Sequence, residues 1–152
     1  MKYFTLLSFL FFSVFLNAQK TDYNTKKGYV AEGYDVVSYF NNTKPLEGKK
    51  KFTANYDGAK FKFSSQENLN LFNENPTKYV PQYGGYCAYA VAEKKKKMYI
   101  DAEVYEIRDG KLYLFYSSWI GSKLGDWQEG DVKKRQEKGD KNWEILKHKK
   151  SE

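Results

Sequence analysis

The sequence predicts a small α+β domain, in which a small antiparallel sheet built from two hairpins packs against helices. Two Asp-Gly pairs, Asp57-Gly58 and Asp109-Gly110, each separate two short runs of apolar and aromatic residues, which is the pattern of a β-hairpin. Segments with apolar residues at helical spacing follow each hairpin. The chain has 152 residues, of which 41% are hydrophobic and 18% aromatic, so it is long enough to bury one core.

The first hairpin is predicted over residues 51–56 and 59–63, and a helix follows it directly. Ser64 and Ser65 are both suitable N-cap residues for a helix that begins at Gln66, and Glu67, three residues after Ser64, favours a capping box. We expect this helix to end before Pro76, because the residue before a proline is biased away from helical geometry.

The second hairpin is predicted over residues 104–108 and 111–116. Successive side chains of a strand point to opposite faces, and here both faces are apolar. We therefore expect this strand to be covered on both sides. One face carries Leu112, Leu114 and Tyr116, and the other carries Tyr113 and Phe115.

Two helices are predicted after the second hairpin, over residues 118–127 and 131–146. Gly139 lies inside the second of them. Glycine is less favourable than alanine in a helix interior, so we expect a break at this position. One face of the second helix is expected to carry Val132, Arg135, Gly139, Trp143 and Leu146.

The N-terminal segment predicts export. Residues 6–16 form an apolar run after a positively charged start, and Ala18 stands at a suitable cleavage position, as in a secretory signal peptide over residues 1–18. We expect a periplasmic or extracellular protein whose mature chain has no transmembrane segment, because this run is too short to cross a bilayer. The rest divides into a flexible lead-in at 19–27, a domain at 28–146 and a basic tail at 147–152.

The chain is basic, with 26 Lys and Arg against 19 Asp and Glu and a formal net charge of +7. The positive charge is concentrated in three runs, at 49–51, 94–97 and 147–150. Such runs are usually solvated, and these lack interleaved aromatic residues and known reader motifs, so no nucleic-acid partner is expected. A protein-interaction module that uses this basic face is one functional hypothesis.

Residue counts exclude several kinds of chemistry. One His and one Cys exclude a zinc site built from these ligands and a framework of intrachain disulfides. The histidine, His148, lies in the basic tail, so the chain offers no Ser-His-Asp or Cys-His arrangement for catalysis. A phosphate-binding loop of the G-x-x-x-x-G-K-[ST] type is also missing from the sequence. We therefore predict a protein that is not an enzyme.

The stretch from Gly33 to Val91 has the motif pattern of a known family. It contains GYDVVSYF at 33–40, YDG at 56–58, FKFSSQEN at 61–68 and PQYGGYCAYAV at 81–91. These motifs resemble the YHS domain, and more narrowly its exported single-domain branch. The resemblance continues more loosely through the second hairpin to Trp143.

The resemblance implies metal binding, with copper as the suggested cofactor. YHS domains on copper-transporting ATPases and related metal-sensing domains carry thiolates at the positions of Ser38, Ser64 and Asn68. Soft thiolates select copper(I) and zinc, and hydroxyl or amide groups do not replace them. Any affinity for these metals is therefore expected to be weak and to depend on Cys87.

Cys87 is the one thiol and the centre of the predicted site. Three roles are open for this residue. It is either a buried structural residue, or a contact to a metal or small ligand with Met98 as a second soft ligand, or a redox-active thiol. Gly84 and Gly85 before it allow close approach of a packed ring or a ligand. The leading hypothesis is a binding module that handles metal or a small ligand near Cys87. The alternative is a thiol-dependent redox protein or a disulfide-bridged homodimer.

Tyrosine is abundant, with 14 residues in the chain. Tyrosines within the motif are candidates for an aromatic pocket that offers ring faces and hydroxyl groups to a planar or cationic ligand. The alternative is that each packs its ring and keeps its hydroxyl in water. Asp35 either binds a cation or caps a turn, and aspartate commonly does the latter. The candidate ligand-contacting tyrosines are Tyr34, Tyr83 and Tyr86.

Overall fold

The structure is a computed structural model that describes residues 20–41 and 44–151. The predicted signal peptide, residues 1–18, lies outside the described residues. Within these two ranges, no helix is long and apolar enough to cross a membrane.

The fold is α+β, as predicted, but the two predicted hairpins do not join in one sheet. The strands of the described residues form four separate two-stranded antiparallel sheets. The pairs are β1 (Thr25–Lys26) with β2 (Tyr29–Val30), β3 (Lys49–Tyr56) with β4 (Ala59–Phe63), β5 (Asp101–Arg108) with β6 (Lys111–Phe115), and β7 (Ser117–Ser118) with β8 (Gly121–Ser122). The helices are α1 (Ser38–Asn41), α2 (Gln66–Glu74), α3 (Pro76–Tyr79), α4 (Lys123–Gln128) and α5 (Val132–Leu146), with a π-helical turn at Ala90–Lys94.

Both predicted hairpins are confirmed. In each turn the Asp and the Gly have positive φ, at 47° and 80° for Asp57-Gly58 and at 52° and 69° for Asp109-Gly110. Two consecutive residues with positive φ are the requirement of the two-residue turns whose twist matches that of the flanking strands. The hairpins therefore form from local sequence.

Strand β6 separates two hydrophobic cores. Leu112 and Leu114 pack into the larger core with Phe61 and other residues, whereas Tyr113 and Phe115 pack into a smaller core. The side chains of residues 112–115 of β6 are all buried, so the prediction that this strand is covered on both sides is confirmed. The smaller core also contains Tyr83, Tyr86, Ala88, Val91, Ala92 and Trp127.

Helix α5 is continuous through Gly139, so the predicted break is wrong. A Cβ atom at this position would lie 2.5 Å from the Tyr83 hydroxyl oxygen. The Tyr83 hydroxyl donates a hydrogen bond to the Gln136 carbonyl at 3.2 Å. Glycine is therefore needed because the tyrosine packs against the helix backbone, and this packing outweighs its low helix propensity.

The helix predicted over residues 118–127 begins only at Lys123. The residues before it form the β7–β8 hairpin, whose turn leaves Trp119 and Ile120 exposed. Gly121 has a φ of 142°, which side-chain-bearing residues rarely adopt and which is not helical. Pairing between β7 and β8 therefore replaces the first helical turns.

The N-cap of α2 is Ser65, whose Oγ accepts a hydrogen bond from the Asn68 backbone N–H at 3.1 Å. Of the two predicted cap residues, Ser65 is therefore confirmed, and the Ser64–Glu67 capping box is wrong. Ser64 instead donates its hydroxyl to the Asp35 carboxylate at 2.6 Å. A charge-assisted hydrogen bond to a buried carboxylate is stronger than a neutral cap, which explains the change of partner.

Residues on both sides of the predicted domain pack against it. The buried Asn24 donates its side-chain amide to the Gly85 carbonyl at 3.0 Å, and the Asp22 N–H donates to the Lys147 carbonyl at 2.6 Å. The packed part of the chain thus includes residues before Gly28 and after Leu146.

Candidate functional site

Asp35 is the centre of a buried polar network. Its carboxylate is fully buried, and Oδ1 accepts hydrogen bonds from the N–H groups of Val37 at 2.9 Å and Ser38 at 3.3 Å. Oδ2 accepts from the Ser64 N–H at 2.8 Å, the Ser64 hydroxyl at 2.6 Å and the Asn68 amide at 2.7 Å. Asp35 therefore caps a turn, as expected, and also joins that turn to the start of α2.

The three positions at which the resemblance implies thiolates all belong to this network. Ser38 donates its hydroxyl to the Asp35 carbonyl at 2.7 Å and accepts from the Leu46 N–H at 2.9 Å. Ser64 and Asn68 direct their donors to the Asp35 carboxylate. This donor set does not fit copper(I) or zinc, because it has no sulfur and its polar groups are already engaged in hydrogen bonds.

The described ranges contain no cluster of three or more His, Cys, Asp and Glu side chains that could hold a metal ion. Cys87 and Met98 do meet, but through the backbone, where the Cys87 N–H donates to the Met98 carbonyl at 3.0 Å. The Cys87 side chain is fully buried in the larger core.

Burial raises the pKa of the Cys87 thiol, because the charged thiolate loses its hydration in the core. We therefore expect native protein to react with 5,5′-dithiobis(2-nitrobenzoate) at pH 7 on the order of 100-fold more slowly than unfolded protein does. Absorbance at neutral pH with and without guanidinium measures both rates. Equal rates, or a dominant disulfide dimer on a non-reducing gel, would contradict this expectation.

The other candidate residues do not share one site. The Tyr86 hydroxyl donates to the Asp22 carboxylate at 2.7 Å, and burial together with this bond raises the pKa of Tyr86. The Tyr34 hydroxyl donates to Glu103 at 2.9 Å, which raises the pKa of Tyr34 to about 12. Both hydroxyl groups thus stay protonated at neutral pH and serve as hydrogen-bond donors.

Tyr83 and Gly84 line a surface cleft of about 420 Å³, which we call the Tyr83 cleft. Its walls come from the N-terminal segment, both hairpins, α3 with the segment that follows it, and α5. The aromatic residues of the lining are Tyr23, Tyr56, Tyr83 and Trp143, and the charged ones are Asp57, Lys111, Asp140 and Glu144. The cleft is therefore acidic and aromatic in a chain that is basic as a whole.

Gly84 positions one wall of the Tyr83 cleft. Its φ is 61°, and a Cβ atom there would lie 2.7 Å from the Asp22 carbonyl oxygen and 2.9 Å from the Trp143 ring. Of the two expected reasons for this glycine, a packed ring or a bound ligand, the structure shows the packed ring. The indole of Trp143 is held at the cleft by this close approach.

The Tyr83 hydroxyl shares its single proton between the Gln136 carbonyl oxygen and Asp140 Oδ1, and the latter lies 3.0 Å from the hydroxyl oxygen. Burial, reinforced by the neighbouring carboxylate, raises the pKa of Tyr83 well above its usual value, so the hydroxyl stays neutral and keeps Asp140 in place. The sequence pattern did not predict Asp57, Asp140, Trp143 and Glu144 as site residues. A signal was present for three of them, since Asp140, Trp143 and Glu144 have the i, i+3, i+4 spacing that shares one helix face.

These features define a small α+β domain with a buried aspartate-centred turn and an acidic aromatic cleft. Residues 37–83 match the family model of the YHS domain. The match lies inside the Gly33–Val91 stretch, so the resemblance of this stretch to the YHS domain is confirmed. Comparison with curated proteins and with solved structures gave no match.

Proposed function

We propose that this protein is a non-enzymatic binding module that takes a small organic cation in the Tyr83 cleft. The observation that supports this proposal is the lining itself. Three carboxylates and four aromatic rings meet in one concave surface, although the chain carries a net charge of +7.

The chemistry of the lining favours a cation that also has an apolar part. Asp57, Asp140 and Glu144 attract positive charge, and Lys111 is the one positive side chain in the described lining, although Lys147 pairs with Glu144 beside it. The partly exposed rings of Tyr23, Tyr56 and Trp143 offer a cation–π contact that is worth roughly 0.5–1 kcal/mol at an exposed site. The volume of about 420 Å³ lies within the range of small-molecule sites.

Other functions have less support from the geometry. The family match allows a metal-handling module, but Ser38, Ser64 and Asn68 offer no soft ligand. A redox role has less support because Cys87 is buried and burial raises its pKa. The apolar run at residues 6–16 supports the further proposal that the module acts after export.

The proposal is tested with benzyltrimethylammonium, a probe that combines a quaternary ammonium with an aromatic ring. Titration of isotope-labelled protein, followed by NMR, is expected to shift the signals of Tyr83 and Trp143. In Asp140→Asn/Glu144→Gln the affinity for the probe should fall about fivefold, because two attractive charges are lost. Trp143→Leu, which keeps apolar volume without the π face, should weaken the affinity by a similar factor.

The matched control is Glu47→Gln/Glu67→Gln. It removes the same two charges from exposed positions that do not line the Tyr83 cleft. This control is expected to bind the probe as the unchanged protein does. Equal weakening in both double variants would show that net charge alone attracts the probe, and the proposal would fail; so would shifts confined to residues outside the cleft.

A further inference from the structure

Two of the basic runs of the sequence meet in space, although about fifty residues separate them along the chain. The segment after the π-helical turn and the C-terminal segment line a second concavity, of about 380 Å³. We call it the lysine cleft. Its lining residues are Lys95, Lys96, Lys97, Leu146, Lys149, Lys150 and Ser151, so no acidic side chain is found in the described part of its wall.

Lys97 holds the two segments together. Its side chain is almost entirely buried, pairs with the Asp22 carboxylate at 2.7 Å and donates a hydrogen bond to the Lys149 carbonyl. Its ammonium group also lies over the rings of Tyr86 and Trp143, at 5.1 and 5.5 Å from their centroids. The charge of Lys97 is therefore compensated within the fold, and its role is to fix the C-terminal segment.

The remaining four lysines are exposed and converge without such compensation. The lysines at 95, 96, 149 and 150 make no salt bridge in the part of the chain that the structure describes. Like charges that are gathered in one place repel each other, which costs stability unless an anion joins them. The contacts of Lys97 hold these four lysines around one concavity.

We propose that the lysine cleft binds an anion that carries several closely spaced phosphate groups. Four ammonium groups around one concavity match three or four negative charges, and lysine acts as a point-charge donor to phosphate oxygens. This site and the Tyr83 cleft share no lining residue within the described ranges, and they select opposite charges. The inference therefore stands apart from the proposed function.

Isothermal titration calorimetry with inorganic triphosphate at low ionic strength tests the proposal. The four substitutions Lys95→Gln, Lys96→Gln, Lys149→Gln and Lys150→Gln are combined in one variant, and Lys97 is kept because it anchors the fold. The affinity for triphosphate should fall about 30-fold in this variant, which corresponds to four exposed ion pairs at about 0.5 kcal/mol each. Raising the salt concentration should weaken binding to the unchanged protein.

The matched control removes four charges from the exposed lysines of the first hairpin, by Lys49→Gln, Lys50→Gln, Lys51→Gln and Lys60→Gln. This control variant has the same net charge as the lysine-cleft variant and is expected to keep most of the affinity for triphosphate. Sedimentation with vesicles of phosphatidylglycerol, compared with vesicles of phosphatidylcholine, forms a second arm. Binding to the anionic vesicles that is lost only in the lysine-cleft variant would identify lipid headgroups as the source of the phosphate.

If the unchanged protein binds triphosphate but not the vesicles, and the lysine-cleft variant loses the triphosphate binding, the ligand is identified as a free oligophosphate. The proposal is overturned if the control loses as much affinity as the lysine-cleft variant, because overall charge would then explain the binding. It is also overturned if the unchanged protein binds neither probe at low ionic strength.

Discussion

Replacing Asp35 by asparagine is expected to lower the free energy of unfolding by about 3 kcal/mol. The carboxylate is fully buried and accepts five hydrogen bonds, three of them at Oδ2. Asparagine has the same shape, but either orientation of its amide directs N–H donors at groups that are themselves donors. Those buried donors then lose their partner, and each such loss costs about 1–3 kcal/mol.

Chemical denaturation, followed by circular dichroism, measures this loss. The control is Asp109→Asn at the tip of the second hairpin, where the residue is exposed and asparagine tolerates the positive φ of 52°. We expect that control to change stability by less than about 0.5 kcal/mol. An Asp35→Asn variant as stable as the control would show that the network does not hold the turn to α2.

The same network permits a finer measurement. Ser64→Ala and Asn68→Ala each remove one side-chain donor to Oδ2 and should each cost about 1–2 kcal/mol. Because both act on the same oxygen, the cost of the double variant should differ from the sum of the two single costs. Additive costs would indicate two independent contacts instead of one network.

Gly84→Ala is expected to lower the free energy of unfolding by about 3 kcal/mol. The positive φ of 61° strains any residue with a Cβ, and here that Cβ would lie 2.7 Å from the Asp22 carbonyl oxygen and 2.9 Å from the Trp143 ring. The N-terminal segment and α5 would both have to move. Binding of the benzyltrimethylammonium probe should weaken as well, because Trp143 is a wall of the Tyr83 cleft.

The Gly110→Ala variant separates the cost of the positive φ from the cost of crowding around the new Cβ atom. Gly110 has a similar φ of 69°, but nothing lies within 4 Å of the position that its Cβ would take. This control therefore carries the backbone strain alone and should cost about 1 kcal/mol. The difference between the two variants in thermal or chemical unfolding reports the crowding at Gly84, and equal costs would contradict the packing described here.

The order and type of many elements follow from the sequence alone, because the interactions that specify them are local. The Asp-Gly turns require two consecutive residues with positive φ and directly select the hairpins of β3–β4 and β5–β6. The alternation along β6 indicates two covered faces, and the structure shows two cores there. The motif spacing between Gly33 and Val91 is likewise sufficient to identify the YHS domain.

Contacts between distant segments determine the structural features that the local sequence pattern predicts wrongly. Gly139 resembles a helix breaker in the sequence, but it is the contact point for Tyr83, more than fifty residues away. The residues around Ser64 favour it as a helix N-cap. Its hydroxyl instead donates to the Asp35 carboxylate, because a buried carboxylate is the stronger hydrogen-bond partner. Residues 118–122 have a helical pattern, but the pairing of β7 with β8 uses their backbone groups.

The two clefts show most clearly the difference between what the sequence determines and what the tertiary structure determines. The sequence determines which residues are aromatic, acidic or basic, and it places the lysines in runs and the α5 acids on one helix face. Only tertiary structure brings the N-terminal segment, the first hairpin and α5 around Tyr83, and the two lysine segments around Leu146. The physical reason is that such sites are made by packing between segments far apart in the chain, for which a single sequence carries no periodic signal.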